Sequence, residues 1–388
     1  MVLKNKEIAI IGGGPGGLTL ARLLQVKGFN VKVYERDFGR SARVQGSPLD
    51  LHENSGLAAI RKAELLDEFR NSYMAGADKT TITDEKAKVV FSDHEVNKEE
   101  DFGDEHFRPE IDRGVLRKIL LDSLQPENII WDSHFLSMTE QNGGWLLHFK
   151  NGMKAYADLV IGADGANSKI RPYITDIQPF YSGITMLEGN IYEAEAVVPE
   201  ITKILRGGKL MAFGNEKNIL MGQKADGVVG FYASFRAEEN WISKCGLDFS
   251  DRSQVMDWFT KYYTGWSPVW NQLFANTTLP FIPRPINCMP LDQTWETLPN
   301  ATIIGDAAHL MPPFAGEGVN MAMLDALELS ECLTNNDHIS IQSALFSYEA
   351  AMRKRASIIA QDSLDNGELM HSAEALSAMT GFFSGNLT

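Results

Sequence analysis

Three glycines with the spacing Gly12-x-Gly14-x-x-Gly17 stand between a short β-branched run and a leucine-rich segment. In such a turn the first glycine permits a tight bend, the second lets a pyrophosphate approach the backbone, and the third lets a helix pack on a strand. The N-terminus of that helix would offer free N–H groups and a partial positive charge to phosphates. The spacing therefore predicts a dinucleotide-binding turn.

The residues around this turn predict the strand–helix–strand unit that the motif requires. Residues 7–11 are typical of a strand buried on both faces, 18–27 have leucines at helical spacing, and 31–35 are a second strand. Glu35 ends the second strand, where an acidic side chain accepts the ribose hydroxyls and repels a 2′-phosphate. We therefore expect this site to hold FAD or NAD, not NADP.

A second stretch with chemical potential follows the predicted buried strand 301–304. An aspartate at the end of a strand facing a dinucleotide can accept a hydrogen bond from a ribityl hydroxyl, and the turn after it can bring main-chain N–H groups to a flavin ring. The predicted helix 319–329 would direct its positive end at the ring. The candidate cofactor residues of this stretch are Asp306, Pro313, Gly316, Gly318, Val319 and Asn320. His309 we interpret as a residue that packs or caps this loop.

Further along the chain, the residue patterns predict an α/β protein with a second, mainly antiparallel part. Residues 112–124 are expected to be helical, and 145–149 and 154–163 to be strands joined by an Asn-Gly turn. Alternating aromatic and β-branched runs between 176 and 282 predict an inserted antiparallel sheet. From residue 341 onward the apolar residues step by three and four, which predicts a long helix.

Composition excludes several classes of function. The 388 residues contain 36 Lys and Arg against 51 Asp and Glu, a formal net charge of −15, which argues against general nucleic-acid or anionic-membrane binding. The three cysteines, Cys245, Cys288 and Cys332, have no metal-binding spacing, and we expect them to be small buried hydrophobic residues. No metal site, membrane span or signal peptide is predicted, and we expect a cytoplasmic enzyme.

The glycine turn, an Asp164-Gly165 pair and the Gly305-Asp306 pair, in this order and at these separations, resemble the group A flavin monooxygenases of the para-hydroxybenzoate hydroxylase fold. The resemblance covers essentially the whole chain. Within that family the sequence is most similar to the tetracycline-inactivating monooxygenases of the TetX type. The matching stretches are residues 9–15, 33–36, 49–52 and 305–316.

This resemblance implies a division of the chain into a Rossmann-like FAD-binding domain, an inserted mainly antiparallel β-sheet substrate domain and a long C-terminal helix that bridges them. The implied FAD-binding segments are 1–75, 104–175 and 283–340, the substrate-domain segments are 76–103 and 176–282, and the helix is 341–388. The chain is expected to be a monomer.

The resemblance also assigns roles to individual residues. It places Asp50, Arg113 and Asp306 at the FAD, Glu35 and Arg36 at its adenosine end, Arg43 at NADPH, and Asp164 at FAD and the pyridine nucleotide. Arg117, one helical turn after Arg113, is the alternative to it. An arginine beside a phosphate makes a charge-assisted bidentate pair, which fits these assignments.

The substrate side departs from the TetX type. There a glutamine and a histidine on the substrate-domain sheet hold the polar edge of tetracycline, whereas this chain has Gly189 and Gly230 at the matching positions and Lys209 in place of a pocket arginine. Each lost hydrogen bond to a buried polar edge would weaken recognition by about 1–3 kcal/mol. The candidate substrate residues are Gly189, Lys209, Phe213, Gly230 and Phe314, with Phe231 and Phe235 as further candidates for the pocket wall.

The activity that the resemblance implies is hydroxylation of a polycyclic, phenolic or enolic substrate with FAD, NADPH or NADH, and O₂. A flavin C4a-hydroperoxide would carry the oxygen, so no acid–base side chain is required. Tetracycline-type antibiotics are the first expected substrates. The alternatives are another aromatic or polyketide substrate, a related oxidase or reductase, and a FAD-binding sensor without turnover.

Overall fold

The structure, a computed structural model, describes residues 2–41, 47–96 and 101–385. Its strands within these ranges are β1 Ile8–Ile11, β2 Val31–Tyr34, β3 Leu49–Asp50, β4 Thr80–Asp84, β5 Val89–Ser92, β6 Glu110–Ile111, β7 Ile129–Ile130, β8 Phe135–Gln141, β9 Gly144–Phe149, β10 Lys154–Ala157, β11 Leu159–Gly162, β12 Phe180–Ile191, β13 Lys209–Gly214, β14 Lys217–Gln223, β15 Val229–Arg236, β16 Ile282–Cys288 and β17 Ala301–Ile303.

The helices range from single turns to one of 30 residues. They are α1 Pro15–Val26, α2 Gly56–Lys62, α3 Leu66–Arg70, α4 Arg113–Asp122, α5 Arg171–Ile174, α6 Ala194–Val197, α7 Pro199–Leu205, α8 Trp241–Lys244, α9 Arg252–Tyr262, α10 Asn271–Asn276, α11 Asp306–His309, α12 Gly318–Thr334, α13 Ile341–Met370 and α14 Ala375–Gly385. Short 3₁₀ turns span Pro126–Asn128, Pro268–Trp270 and Pro313–Ala315.

The first half of the fold is a parallel sheet with the strand order β17-β11-β1-β2-β7. All four residues of the central strand β1 are buried, since α1 packs on the sheet at β1 and β2 and strand β9 of the three-stranded sheet packs against β11. Since parallel strands end at the same edge, the turns after β1, β11 and β17 meet there. The three sequence motifs occupy these turns, so one edge of one sheet brings them together.

The second half is a seven-stranded sheet with the order β16-β12-β15-β14-β13-β4-β5. Its pairs are antiparallel except for β13 with β4, which are parallel. One face packs on α7, α9 and α10 in an aromatic core, and the other face turns toward the parallel-sheet half. This arrangement confirms the predicted α/β fold class with a mainly antiparallel second sheet.

Two predicted elements differ from the structure. The predicted strand 154–163 is two strands, because Asp158 accepts hydrogen bonds from the Glu7 backbone N–H at 2.9 Å and from Lys6 at 3.3 Å. These bonds turn the chain from the three-stranded sheet of β8–β10 into the parallel sheet. The long tail helix ends at Met370, and α14 follows as a separate helix after His371. The domain boundaries stay a prediction.

The cysteine prediction is correct for Cys288, which is buried, whereas Cys245 and Cys332 are only partly buried. In the described part of the chain no helix has both the length and the apolar character that a bilayer crossing needs.

Candidate active site

The glycine turn after β1 is shaped by close backbone packing. Gly12 has φ +112°, and a Cβ there would lie 2.3 Å from the Ala163 carbonyl oxygen. A Cβ on Gly17 would lie 2.2 Å from the Gly12 oxygen. A Cβ on Gly14, in contrast, would meet no described atom within 4 Å. Gly12 and Gly17 are therefore required by the fold, while Gly14 keeps the space before the first turn of α1 open to a ligand.

Glu35 closes this turn from the end of β2. Its buried carboxylate accepts hydrogen bonds from the backbone N–H of Gly13 at 2.5 Å and of Asp37 at 3.0 Å. A carboxylate has about four acceptor positions, so it retains capacity for ribose hydroxyls. Arg36, next in the chain, is exposed.

Arg117, which sequence reasoning treated as the alternative to Arg113, supports the same turn. It donates to the Asp37 carboxylate at 3.0 Å and to the Gly13 carbonyl at 3.5 Å, and its guanidinium lies 5.5 Å from the Trp131 ring centroid. Because these contacts engage Arg117 in the protein, Arg113 is the one of the two whose guanidinium makes a single, long hydrogen bond, to the Ser47 carbonyl at 3.5 Å, among the described residues.

A largely buried cluster of charged side chains stabilises the Gly305-Asp306 turn. Asp325 of α12 accepts hydrogen bonds from the Gly305 N–H at 2.8 Å, from His309 Nε2 at 2.6 Å and from Arg355 of α13 at 2.7 Å. Burial alone would lower the pKa of His309, but Asp325 outweighs burial and raises it. His309 thus has the packing role that we expected, and Asp325 and Arg355 are the partners that sequence analysis missed.

Asp306 and Arg113 present unpaired charges to the cleft between the two halves. The Asp306 carboxylate accepts no hydrogen bond from any residue that the structure describes, and burial raises its pKa against the opposing effects of His309 and Arg113. Arg113 is accessible to solvent and makes only a 3.5 Å contact with the Ser47 carbonyl within the described ranges. An open Gly14, a free carboxylate and a free guanidinium fit the polyhydroxylated, phosphate-bearing chain of FAD.

The Asp164-Gly165 segment positions the neighbouring turn. Asp164 accepts hydrogen bonds within its own loop, from Ser168 Oγ at 2.6 Å and the Lys169 N–H at 2.7 Å. Arg171 then donates to the carbonyls of Asp306 and Ala307 at 2.8 and 2.7 Å. In this structure the Asp164 carboxylate closes its loop, and the segment acts on the site through Arg171.

The predicted flavin loop, residues 313–320, begins in a 3₁₀ turn and leads into α12. Gly316 has φ +71° and lies close to the Asp50 carboxylate, from whose oxygens its Cβ would be 3.8 Å distant. A Cβ on Gly318 would meet no atom of the described residues within 4 Å, so this turn also leaves space for a ligand. Pro313 is exposed and Val319 packs partly on the core.

Asn320 ties this loop to strand β3. Its amide donates to the Asp50 carbonyl at 3.0 Å and accepts from the His52 N–H at 2.9 Å and the Gly56 N–H at 3.3 Å. Because both ends of the fully buried amide are engaged, Asn320 acts on the predicted cofactor site by holding its backbone.

Lys209, the first residue of β13 in the seven-stranded sheet, extends its side chain toward Asp50. Its ammonium pairs with Glu110 of β6 and lies 3.9 Å from Asp50 Oδ2. Burial raises the pKa of Glu110 to about 7, although Lys209 opposes that shift. Burial likewise opposes ionisation of Asp50, but Lys209 and His52 hold its pKa below the usual range. The predicted substrate residue Lys209 is therefore already compensated by two carboxylates.

Gly189 is not on the substrate side of the sheet, which corrects our expectation. A Cβ there would lie 2.5 Å from the Phe231 ring and 2.8 Å from Thr277 Oγ1, in the aromatic core behind the sheet. Phe231 and Phe235 point the same way and pack on Phe274 and on Trp241 respectively. Alignment with the TetX type matched Gly189 to a pocket residue. In this structure Gly189 lies on the face of the strand opposite the cleft.

At this point of the sheet, the side chains that face the cleft belong to the residues directly before and after Gly189 in β12. Glu188, almost fully buried, forms an ion pair with Arg284 of β16, and Asn190 accepts a hydrogen bond from Lys224 at 2.9 Å. Tyr232, paired with Glu188 across the strands, has its hydroxyl 3.4 Å from Ser47 Oγ. The alternation of a strand was the available signal for these residues.

Gly230 does face the cleft. A Cβ there would make ordinary contacts with Asn190 and Lys224 at 3.4 and 3.5 Å. Phe314 of the flavin loop packs on the cluster of Ile184, Met186 and Ile286, against which Tyr232 of the same face also packs. Phe213 is also on this face but is fully buried beneath α14. Arg43 lies outside the described residues.

The opposite orientations of the two glycines give a testable difference. We expect Gly189→Ala to lower the free energy of unfolding by about 1–3 kcal/mol, because the new methyl group overpacks the core beside Phe231. Gly230→Ala, the matched control, should change it by less than about 0.5 kcal/mol. Urea unfolding followed by circular dichroism measures both, and equal stability of the two variants would contradict the assigned strand orientation.

Comparison with known proteins agrees with this geometry. Residues 5–253 and 299–363 match the family model described as FAD binding domain. Monooxygenase penA of Penicillium thymicola is 27% identical over an alignment covering 90% of this chain and 92% of that protein. The 6-hydroxynicotinate 3-monooxygenase of Pseudomonas fluorescens is 26% identical, with 94% and 91% covered. The structure of tetracycline destructase Tet(55) superposes with a TM-score of 0.75 at 20% identity, over 100% of this chain and 97% of that one.

The family match spans most of the chain and includes all three motif turns, and the curated relatives that share nearly its full length are monooxygenases. The likeness to Tet(55) shows the fold. The chain therefore belongs to the FAD binding domain family and is a FAD-dependent monooxygenase.

Proposed function

We propose that this monooxygenase hydroxylates a planar aromatic or polyketide substrate that carries a phenol or enol, with NADPH as the preferred electron donor, and that tetracycline-type antibiotics are among its substrates. The names of the relatives support the substrate class: 6-hydroxynicotinate is a hydroxylated aromatic ring, and Tet(55) is a tetracycline destructase. NADPH and the monomeric state are proposed on the sequence resemblance.

The observation that carries the proposal is the shape and chemistry of the cleft-facing side of the seven-stranded sheet. Met211, Leu220 and Tyr232 are register neighbours on β13, β14 and β15 and form a flat, largely apolar surface. Phe314 of the flavin loop packs against the same surface. A planar ring system is the ligand whose shape and polarity match such a shelf.

The polar groups lie at one end of this shelf. Arg284 and Arg113 are solvent-accessible cations, and Tyr232 is a hydroxyl donor whose pKa is raised by burial and by Glu188. Donors gathered at one end of an apolar surface would orient a substrate through its phenol or enol oxygen and stabilise that oxygen as an anion. A more electron-rich ring is the better acceptor of an electrophilic oxygen.

The protein's remaining task is to keep water from the reacting atoms. Bound FAD supplies electron transfer from the nicotinamide and activation of O₂. The packing of Phe314 on Ile184, Met186 and Ile286 excludes water between the flavin loop and the sheet. Since the reaction takes place on a cofactor, the cleft needs positioned donors and a dry surface and no nucleophilic side chain.

The test is NADPH and NADH oxidation by the purified yellow protein in air, with tetracycline, oxytetracycline, 6-hydroxynicotinate and simple phenols as probes. We expect stimulation by at least one compound, a product containing one added oxygen atom, and a lower Michaelis constant for NADPH than for NADH. A product from tetracycline establishes the antibiotic as substrate, and a product from the other compounds alone restricts the proposal to them.

Two results would overturn the proposal. Stimulated oxidation that yields only hydrogen peroxide with every probe would indicate an oxidase. If none of the compounds stimulates reduction of the flavin by NADPH or NADH, the result would indicate a FAD-binding sensor. A preparation stripped of FAD, measured in parallel, gives the rate that does not depend on the cofactor.

A further inference from the structure

His52 joins strand β3 to the predicted flavin loop through two contacts. Its Nε2 lies 3.2 Å from Asp50 Oδ2, and its Nδ1 lies 3.0 Å from Glu317 Oε1. The histidine is 8% exposed. Glu317 stands between Gly316 and Gly318, the two glycines of the loop that leads into α12. The imidazole therefore bridges two segments that are distant in sequence, at the place where the loop faces the cleft.

The contacts of both ring nitrogens determine the charge of the ring. A neutral imidazole has one N–H, so its second nitrogen would direct a lone pair at a carboxylate. Only the imidazolium can donate to both oxygens. Burial alone would lower the pKa of His52, but its bonds to Asp50 and Glu317 outweigh burial and raise it to about 9. At neutral pH the bridge is an ionic one on both sides.

The surrounding charges make the imidazolium necessary. Asp50 also faces Lys209, and the Lys209 charge is shared with Glu110 of β6. Glu317 has no other cation within salt-bridge distance among the described residues, and its Oε2 is buried without a hydrogen-bond partner there. A neutral His52 would leave the two carboxylates that it separates without a cation between them.

We infer that protonated His52 is a positioning residue that holds residues 316–318 of the flavin loop in the arrangement that binds FAD. The inference rests on the FAD site of the family and adds a residue to which neither the motifs nor the comparisons assign a role. When the bridge is lost, the loop can move away from β3, and Gly316 no longer lies beside Asp50.

The His52 bridge also determines in which direction FAD affinity changes with pH. The pKa of His52 in the folded protein is raised from 6.5, so the contribution of the bridge is complete below pH 6.5. It is lost as the pH rises through about 9. FAD affinity should therefore fall with rising pH, while the opposite titration of Asp50, whose pKa is lowered, affects only acidic solutions.

The experiment is titration of apoprotein with FAD, followed by quenching of flavin fluorescence, at several values of pH between neutral and alkaline. We expect His52→Gln to raise the FAD dissociation constant at neutral pH by about tenfold, as loss of one charge-assisted contact predicts. We also expect it to flatten the alkaline decline. Titration of the flavin itself is common to all variants, so the difference between them isolates His52.

His106→Gln is the matched control, because His106 also neighbours a carboxylate, Glu105 at 3.7 Å, but is 86% exposed. It should behave as the unchanged protein. Glu317→Gln tests the bridge from the loop side and should also weaken FAD binding; it serves alone if His52→Gln does not fold. Unchanged affinity and an unchanged pH profile in these variants would overturn the inference, whereas failure of the unchanged protein to bind FAD would contradict the family assignment.

Discussion

Gly14→Val is expected to abolish retention of FAD while leaving the apoprotein folded. The backbone of Gly14 is extended, with φ −79° and ψ 177°, so a β-branched residue fits it, and no atom of the described residues lies within 4 Å of its Cβ position. The side chain would instead occupy the position that a pyrophosphate needs. We expect the FAD dissociation constant to rise at least about 100-fold, equivalent to about 2.7 kcal/mol. The apoprotein should lose less than about 1 kcal/mol, since valine is a poorer N-cap than glycine.

Gly12→Ala is the informative comparison. Alanine there combines a positive φ with a Cβ 2.3 Å from the Ala163 carbonyl, and it should destabilise the apoprotein itself by about 3 kcal/mol. Thermal unfolding of both apoproteins and calorimetric titration with FAD distinguish the two effects. Tight FAD binding by Gly14→Val would show that the open space before α1 is not the phosphate position.

The second large effect is expected from Asp325→Asn. The Asp325 side chain is fully buried and compensates the buried His309 and the partly buried Arg355, so its neutralisation leaves these two groups with too little negative charge. We expect a loss of about 3 kcal/mol in the free energy of unfolding, as for other broken buried ion pairs. The Gly305 turn would also lose its best acceptor, and FAD affinity should fall with stability.

The pH profile gives this prediction a second readout. The Asp325 pKa is lowered because His309 outweighs burial, so its contribution is lost as the pH falls below 3.8. The His309 pKa is raised from 6.5, so its contribution is complete below that pH and is lost at higher pH. Asp325→Asn should remove both slopes from a plot of melting temperature against pH.

Glu328→Gln is the control, because Glu328 also pairs with Arg355 but is 31% exposed. Partial exposure weakens an ion pair, so a loss below about 1 kcal/mol is expected. An Asp325→Asn protein that is no less stable than Glu328→Gln would show that the buried cluster is not what supports the turn.

Local patterns predicted the FAD-binding edge of the fold because its chemistry is local. The glycine spacing, the buried strands before each turn and the helices after them are encoded within a few residues. The residues that support those turns are not encoded locally. Asp325 and Arg355 lie on helices far along the chain, and a single charged residue in a helix carries no mark of the turn that it will support.

The substrate face shows a different limit. Matching Gly189 to a pocket residue of another protein required the two strands to agree in register, and a shift by one residue exchanges the two faces of a sheet. Glycine has no side chain to reveal the error through its polarity. The neighbouring Glu188, the one charged residue of β12, was the stronger indication of the cleft-facing side of the strand.

The turns of the cofactor site are supported by residues that follow the substrate sheet in the chain. During synthesis the site can therefore form only after those residues have been made. The glycine turn leaves the ribosome first, but β17, Asp325 and Arg355 emerge only after the substrate sheet has been made. The last turn of α13 comes later still, and there Gly367 faces the Phe314 ring, which also stacks edge-on against His371. Domains whose segments are distant in sequence cannot close during translation until the last segment arrives. We therefore expect the nascent chain to remain colourless and to capture its flavin only after β17, Asp325 and Arg355 have been synthesised.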